Sequence, residues 1–213
     1  MPVHLINPLP IYQEESGYTL SDSELEVLKD IEYNSMTDPL YYLSKEFAVL
    51  DHPGLAKLKD MLQHHLDRYR KEICGVIDQE FYITNSWLSE IRSGRGNLSK
   101  HVHDNSLVSG VFYIDVPGPA PLCFRNHSQI FKKYDFNFSN SVETNYKQET
   151  HCVQVRTGDI VLFPSWLEHW VGQNSTTQLR RSLAFDSFVQ GQFNGKNIHG
   201  VKTGFSRLSI TKV

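Results

Sequence analysis

The sequence predicts an α+β fold whose β part is a jelly roll, with N-terminal helices packed on one sheet. Three observations predict it. Apolar residues at helical spacing dominate the first third of the chain, and at Phe81 that period gives way to the alternation of strands. From there on, turn signals recur about every eight to twelve residues, the rhythm of sandwich and barrel strands. Two later runs, Leu107 to Val116 and Gly158 to Phe163, are apolar almost throughout, as strands covered on both faces are. Helices first and strands afterwards indicate α+β architecture, and the double-sheet form leaves an open mouth in which residues from several strands can meet a ligand.

A chain of 213 residues suits one domain with a substantial core. It divides into a mainly helical support over 1–78, a jelly-roll core over 79–190 and a tail over 191–213. With 39% hydrophobic and 12% aromatic residues and a net charge of −3, the composition is that of an ordinary soluble globular protein. Lys and Arg are spread along the chain, so no basic block marks a general nucleic-acid binder. The cysteines Cys74, Cys123 and Cys152 are odd in number, widely spaced and without a CxxC pair, which is expected of reduced thiols in a cytosolic compartment. The start MPVHLINPLPIYQ lacks a long apolar stretch behind a basic one, and no apolar run is long enough to span a bilayer, so a cytoplasmic, non-membrane protein is expected.

In chain order, Val3 to Tyr12 alternates apolar residues with Pro8 and Pro10, which permits an edge strand only. Ser21 and Glu24 have the form of a capping box, and Leu25, Leu28 and Ile31 follow at helical spacing in a helix reaching Tyr33. A weaker helical stretch falls near Tyr41 to Leu50. A long helix then begins at Pro53, with its apolar stripe at Leu55, Leu58, Met61, Leu62, Leu66, Tyr69 and Ile73, and stops at Gly75. His64 and His65 fall at the edge of the stripe, where surface placement is expected. Phe81 to Ile91 alternates as a strand with Phe81, Ile83, Asn85 and Trp87 on one face. A turn at Ser93 to Asn97 leads to the histidine-bearing strand, and a short strand Pro121 to Arg125 follows Pro117-Gly118-Pro119. Asn126 to Thr150 is polar and aromatic with little periodicity, long for a loop in a compact domain, and reads as a binding loop, a lid or an inserted hairpin. Strands resume at His151 to Arg156, Gly158 to Phe163 and Arg180 to Val189.

The stretch from Lys100 to Val116 joins chemistry to this framework. His101 and His103 are two residues apart, so in extended backbone both imidazoles face one side and can meet one ion. A metal held by side chains usually takes a third ligand from elsewhere. His169 supplies it, at the far end of the run Gly158 to Trp166. A histidine pair by itself is more often solvated surface or a satisfied hydrogen-bonding pair. A turn at Gly172 to Thr177 then lets the strand from Arg180 run back beside the His169 strand. Alternation sets Arg180, Ser182 and Ala184 on one face and Arg181, Leu183 and Phe185 on the other, and a ligand can approach the face with the small residues. A guanidinium there makes paired hydrogen bonds to a carboxylate.

His101-Val102-His103-Asp104-Asn105-Ser106-Leu107-Val108-Ser109-Gly110-Val111-Phe112-Tyr113, then Gly158 to His169, then Arg180-Arg181-Ser182 resemble the motifs of the Fe(II)- and 2-oxoglutarate-dependent oxygenases. The nearest branch is that of bacterial and phage-encoded members with the pattern H-x-H-P-x-S-x-x-S-G-x-Y-Y, G-x-x-x-x-F-P-S-x-x-x-H and R-x-S. The likeness spans about residues 80 to 188, and the opening INPLPIY is similar to the start of that group. It implies a double-stranded β-helix, cupin-like in form, with Fe(II) at the mouth, 2-oxoglutarate chelating the iron, and O2 as co-substrate. Arg180 and Ser182 would take the far carboxylate of 2-oxoglutarate, with Ser109 and Tyr113 as further cofactor-binding residues. The reaction would decarboxylate 2-oxoglutarate to succinate and hydroxylate a C–H bond, in the host cytoplasm for a phage-encoded member. Two departures stand out. His103 occupies the place where most relatives carry Asp or Glu, with the adjacent Asp104 as the alternative ligand if a bulge changes the alternation. Asp104 itself stands where the group more often has proline.

Two other functions fit parts of the pattern. A non-catalytic metal-binding jelly-roll module would keep the histidines without needing Arg180. A three-histidine cupin dioxygenase would bind iron and ignore 2-oxoglutarate. The prime substrate is not written in the chain, although Phe131, Tyr134, Phe136, Phe138 and Tyr146 in the long loop suit a peptide, a protein or another extended ligand as well as they suit packing of the loop itself. The sequence does not fix the oligomeric state.

Overall fold

The change of period at Phe81 marks the passage from helical support to sheet, and a computed structural model shows how the two meet. It describes residues 9–36, 40–92, 97–119, 121–126 and 148–190. The predicted residues before Leu9, the turn at Ser93 to Gly96, nearly all of the long loop after Asn126 and the tail from Gly191 lie outside the described residues.

Strands β1 (Tyr12–Glu15), β2 (Tyr33–Ser35), β3 (Tyr41–Ser44), β4 (Glu80–Ile91), β6 (Val108–Asp115), β9 (Asp159–Pro164) and β11 (Arg180–Gln190) form one sheet in the order β1-β9-β6-β11-β4-β3-β2. Strands β5 (Leu98–His101), β7 (Leu122–Arg125), β8 (Thr150–Val153) and β10 (His169–Val171) form a smaller sheet in the order β5-β10-β7-β8. Every strand pair named in these sheets is antiparallel. This is the predicted jelly roll.

The larger sheet is apolar on both faces because each face has a cover. Leu88, Phe112, Ile114, Ile160, Leu162, Leu183 and Phe185 pack against the helical support through Leu28, Leu58, Leu62 and Leu66. Ile91, Tyr113, Val161 and Phe163 pack against Leu122, Phe124 and Val171 of the smaller sheet. Burial of this kind stabilises by about 25 cal/mol for each Å² of apolar surface removed from water, so the two clusters supply the main driving force for the sandwich.

Helix α1 (Asp22–Lys29) begins as predicted, with Ser21 and Glu24 forming a capping box, and ends before Ile31. Helix α2 (Ala56–Arg68) follows a 3-10 turn at Pro53–Leu55 and runs into a wider π turn at Tyr69–Ile73, with Gly75 beyond it at φ +67°. His65 departs from its predicted surface placement. It is buried, and its Nδ1 lies 2.7 Å from the Tyr12 hydroxyl, tying α2 to the edge strand.

Other expectations need correction. The weak helical stretch near Tyr41 is strand β3, whose pairing with β4 overrides the local helical spacing, and the segment after it makes only a short 3-10 turn at Val49–Asp51. Ser86 and Ser44 hold that segment, accepting hydrogen bonds from the backbone N–H of Leu50 and Leu88. Alternation along β4 is broken by a bulge at Thr84, where Asp186 pairs with Asn85 and Ser187 with Ile83. Phe81 and Ile83 therefore join the helix-facing core, while Asn85 and Trp87 lie on the opposite face.

Nor are the three cysteines all reduced. Cys123 and Cys152 form a disulfide, opposite one another on β7 and β8 with Cα atoms 4.0 Å apart, and Cys74 alone is free. A separation of 29 residues hid the pairing in the sequence, where only short-range spacings could be read. The inference of a reducing compartment drawn from free thiols goes with it. Among the described residues, no helix is long and apolar enough to cross a membrane.

Candidate active site

His101 closes β5 and His169 opens β10, and these two residues pair directly across the smaller sheet, with ring centroids 4.2 Å apart. His169 is thus not at the end of the strand Gly158 to Phe163, as expected, but on the next strand, after the turn through Ser165 and Trp166. His103 lies beyond the end of β5, where its backbone N–H donates to the Ser165 carbonyl. Its ring stacks on His101 at 5.2 Å and stands 5.0 Å from His169. One ligand atom from each histidine lies within 4.8 Å of the others. Asp104 is exposed in the turn that contains Asn105 at φ +56° and is not among the converging atoms.

Each ring is anchored through Nδ1. In His101 this nitrogen is 2.8 Å from the Ser99 carbonyl, in His169 2.8 Å from the Leu167 carbonyl, and in His103 2.6 Å from Asp186 Oδ1. Each partner can only accept or is best satisfied as an acceptor, so Nδ1 carries the proton and the lone pair rests on Nε2. Burial favours the neutral ring. It lowers His101 and pushes His169 down to about 3, with the neighbouring histidines adding to the effect on both. Phe163 flanks His169 at 4.5 Å, and Trp87 stands 5.4 Å from His103 on the other side.

The second half of the site is on β11. The expected pairing of this strand with the His169 strand does not occur. β11 lies between β4 and β6 in the larger sheet, so it faces the histidines across the sandwich. The predicted alternation does hold. Arg181 stands on the opposite side between two carboxylates, with Nε 3.6 Å from Glu90 and 3.5 Å from Asp115. Arg180 is 2% exposed, and its Nε and Nη2 have no hydrogen-bond partner among the described residues. Its Cζ lies 5.2 Å from the ring centroid of Tyr113, whose hydroxyl is also buried without a partner. Burial lowers the Arg180 guanidinium and pushes Tyr113 up to about 12. Leaving such donors buried and unpaired costs about 1–3 kcal/mol each, more for a charged group, so the arrangement calls for an anion.

Ser182 is buried on the same face as Arg180. Ser109 has a different position, fully buried behind His103, with its hydroxyl 2.9 Å from His103 Nδ1, 2.8 Å from Asp186 and 2.8 Å from Ser165. Two residues at the site were not singled out in the sequence. Asp186 was within reach, since one more step of the alternation through Arg180, Ser182 and Ala184 arrives at it. Asn174 gave no signal, being one polar residue in a polar turn. Its side-chain amide donates to the Ile91 carbonyl at 3.0 Å and the Gln178 carbonyl at 2.8 Å, pinning the turn beside the start of β11.

Residues 85–186, just under half of the chain, match the family model described as "Putative 2OG-Fe(II) oxygenase". Over that span the chain is similar to the 2OG-Fe(II) oxygenases, with the H-x-H…H pattern falling on His101, His103 and His169. Solved structures agree with the fold. HygX from Streptomyces hygroscopicus, with nickel and 2-oxoglutarate bound, is similar at 16% identity and TM-score 0.57, over 84% of this chain and 82% of its own. The carbocyclase SnoK from nogalamycin biosynthesis is similar at 15% identity and TM-score 0.56, over 84% and 80%. EctD from S. alaskensis, with 2-oxoglutarate and 5-hydroxyectoine, follows at 12% identity and TM-score 0.54, over 84% and 72%. No curated protein matches the sequence. Fe(II) and 2-oxoglutarate are the cofactors of that family, and the donor set here suits them, with three converging imidazoles for the ion and a buried guanidinium with two unpaired nitrogens for a carboxylate.

Proposed function

We propose that the oxygenase holds Fe(II) through His101, His103 and His169 and binds the far carboxylate of 2-oxoglutarate at Arg180, so as to hydroxylate a C–H bond of a substrate presented at the mouth. The observation that carries this reading is the buried guanidinium of Arg180, whose Nε and Nη2 find no hydrogen-bond partner among the described residues and which a metal-binding module without a keto-acid partner would have no reason to keep. Ser182 and Tyr113, buried on the same face, would add hydroxyl donors to that carboxylate. When bound, the iron and 2-oxoglutarate supply the oxidative decarboxylation to succinate that activates O2. The chain's residues orient and shelter that chemistry. The carbonyls of Ser99 and Leu167 hold two imidazoles in register, Phe163 and Phe124 exclude water beneath His169, and Tyr113 and Arg180 receive the carboxylate in a dry pocket where each hydrogen bond counts for more. Trp87, with half-exposed Phe47 against it at 5.7 Å, offers an apolar surface next to His103 for the substrate, and the long loop after Asn126 is the segment whose composition suits a peptide or other extended ligand.

Calorimetric titration of 2-oxoglutarate into the Mn(II)-loaded protein tests this directly. Arg180→Lys replaces a two-pronged planar donor by a point charge and should weaken binding about tenfold to a hundredfold, corresponding to about 1.5–3 kcal/mol, while Arg181→Lys should change it little. Wild-type protein that binds the metal but no 2-oxoglutarate would defeat the reading and favour a three-histidine cupin or a non-catalytic module. Succinate release on adding Fe(II), ascorbate and 2-oxoglutarate then separates turnover from binding.

A further inference from the structure

We propose that Asp186 is a positioning residue: its carboxylate fixes the tautomer and orientation of His103 and supplies, one shell out from the ion, the negative charge that a His-x-carboxylate site places on the ion itself. The proposal rests on the reading of His101, His103 and His169 as metal ligands.

Only His103, among the three rings, is anchored by a charged group. The acceptors behind His101 and His169 are backbone carbonyls, whereas His103 Nδ1 meets Asp186 Oδ1 at 2.6 Å. A carboxylate behind an imidazole makes the opposite nitrogen a more basic ligand and locks the ring's rotation, and such outer partners typically govern metal affinity by about ten- to a hundredfold. His103 has more need of this than its neighbours. It lies outside the strand that carries His101, where one backbone hydrogen bond to the Ser165 carbonyl stands in place of a sheet ladder, and it occupies the position where a carboxylate ligand would neutralise part of the ion's charge.

The surroundings of Asp186 are built to hold it still. The residue is 7% exposed, and Ser109, fully buried, lies 2.8 Å from the same carboxylate oxygen. Ser109 is in turn 2.8 Å from Ser165, and Ser165 is 2.7 Å from Ser106, so a line of hydroxyls on β6 and its flanking turns braces the pair. On the other side of β11, the bulge in β4 falls opposite Asp186, and Thr84 Oγ1 donates to the Asp186 carbonyl at 3.2 Å. Strand β11 thus carries an anion and a cation on one face of the sandwich, Asp186 behind the metal ligand and Arg180 at the depth of the pocket.

Asp186→Asn keeps the shape and removes the charge, and its amide can donate to Nδ1 and so favour the opposite tautomer. Nitrogen-15 NMR of histidine-labelled, metal-free protein at mildly alkaline pH reads the tautomer, and Co(II) absorption titration reads the affinity. The expected result is an Nδ1–H ring at His103 in the wild type, a shift toward the Nε2–H form in Asp186→Asn with His101 and His169 unchanged, and Co(II) binding weaker by about tenfold to a hundredfold. The same tautomer and the same Co(II) affinity in wild type and variant would overturn the role of Asp186 while leaving the metal site standing. A wild type that binds no Co(II) would take down the metal reading and this proposal together. If Asp186→Asn does not fold, Ser109→Ala removes only the hydroxyl that braces the carboxylate, and an unchanged Co(II) affinity there would count against the proposal just as plainly.

Discussion

The imidazoles of His101 and His169 are each held by a carbonyl two residues away in sequence, so the local backbone orients both rings. His101→Ala and His169→Ala should therefore each abolish stoichiometric Fe(II) binding, measured by metal analysis of the purified protein, while thermal unfolding stays cooperative. Undiminished iron in either variant would remove the proposed site. Asp104→Ala should retain the metal and His103→Ala should lose it, because Asp104 is exposed in the turn and outside the converging group. At this scale the sequence was informative wherever spacing translates into facing. The pair His101 and His103 and the choice of Arg180 over Arg181 follow from alternation, and His169 from its place beyond the apolar run Gly158 to Trp166; the structure brings the histidines together and leaves Arg180 Nε and Nη2 without a partner. The partners of those groups were not legible. Whether a buried serine such as Ser109 points at a ligand or braces a histidine depends on which strand lies opposite, and sequence spacing does not encode that.

At the scale of elements, helix α2 and the strands β4, β6, β9 and β11 were readable because each is long and strongly patterned, while β3 and β10 were not. At four and three residues, β3 and β10 carry too little period to be told from a turn of helix, and their neighbours in the sheet decide them. Strand β6 illustrates how close the packing is. A Cβ added at Gly110 would stand 2.2 Å from the Phe185 ring and 2.6 Å from the Leu162 side chain, so Gly110→Ala should destabilise by about 1–3 kcal/mol, read as a lower urea midpoint. The junction between β1 and α2 gives a pH prediction. Burial lowers His65, with Glu14 opposing the shift and His64 and Arg68 adding to it, while the Tyr12 hydroxyl meets Nδ1. A histidine lowered on folding holds fewer protons folded than unfolded, so its contribution is intact above its ordinary value of 6.5 and stability falls as the pH drops below it. His65→Gln should flatten the loss of thermal midpoint between about pH 7 and pH 5 relative to wild type. An equally steep loss in the variant would place the proton uptake elsewhere.

For the molecule as a whole, the jelly roll was visible in the order of periods along the chain, but the cross-link in its smaller sheet was not, because a bond between residues this far apart depends on register. Replacing both Cys123 and Cys152 by serine should lower stability by about 2–4 kcal/mol in non-reducing urea unfolding, in keeping with closure of a loop spanning a separation of 29 residues. Free thiols at both positions in alkylated, non-reduced protein would exclude the bond. The division of the site between the sheets has a mechanical consequence. His101 and His169 are carried by the four-stranded sheet, Arg180 and Asp186 by the seven-stranded one, and strands β5, β7, β8 and β10 have only three or four residues each. Short strands open at low cost, and a ligand held from both sides closes them by mass action. The occupants of the pocket are then rivets between two plates, and the thinner plate should breathe whenever they leave. Amide hydrogen exchange should slow on adding Mn(II) and 2-oxoglutarate, and slow most in β5, β7 and β10, so that the act of filling the site is also what makes this protein rigid.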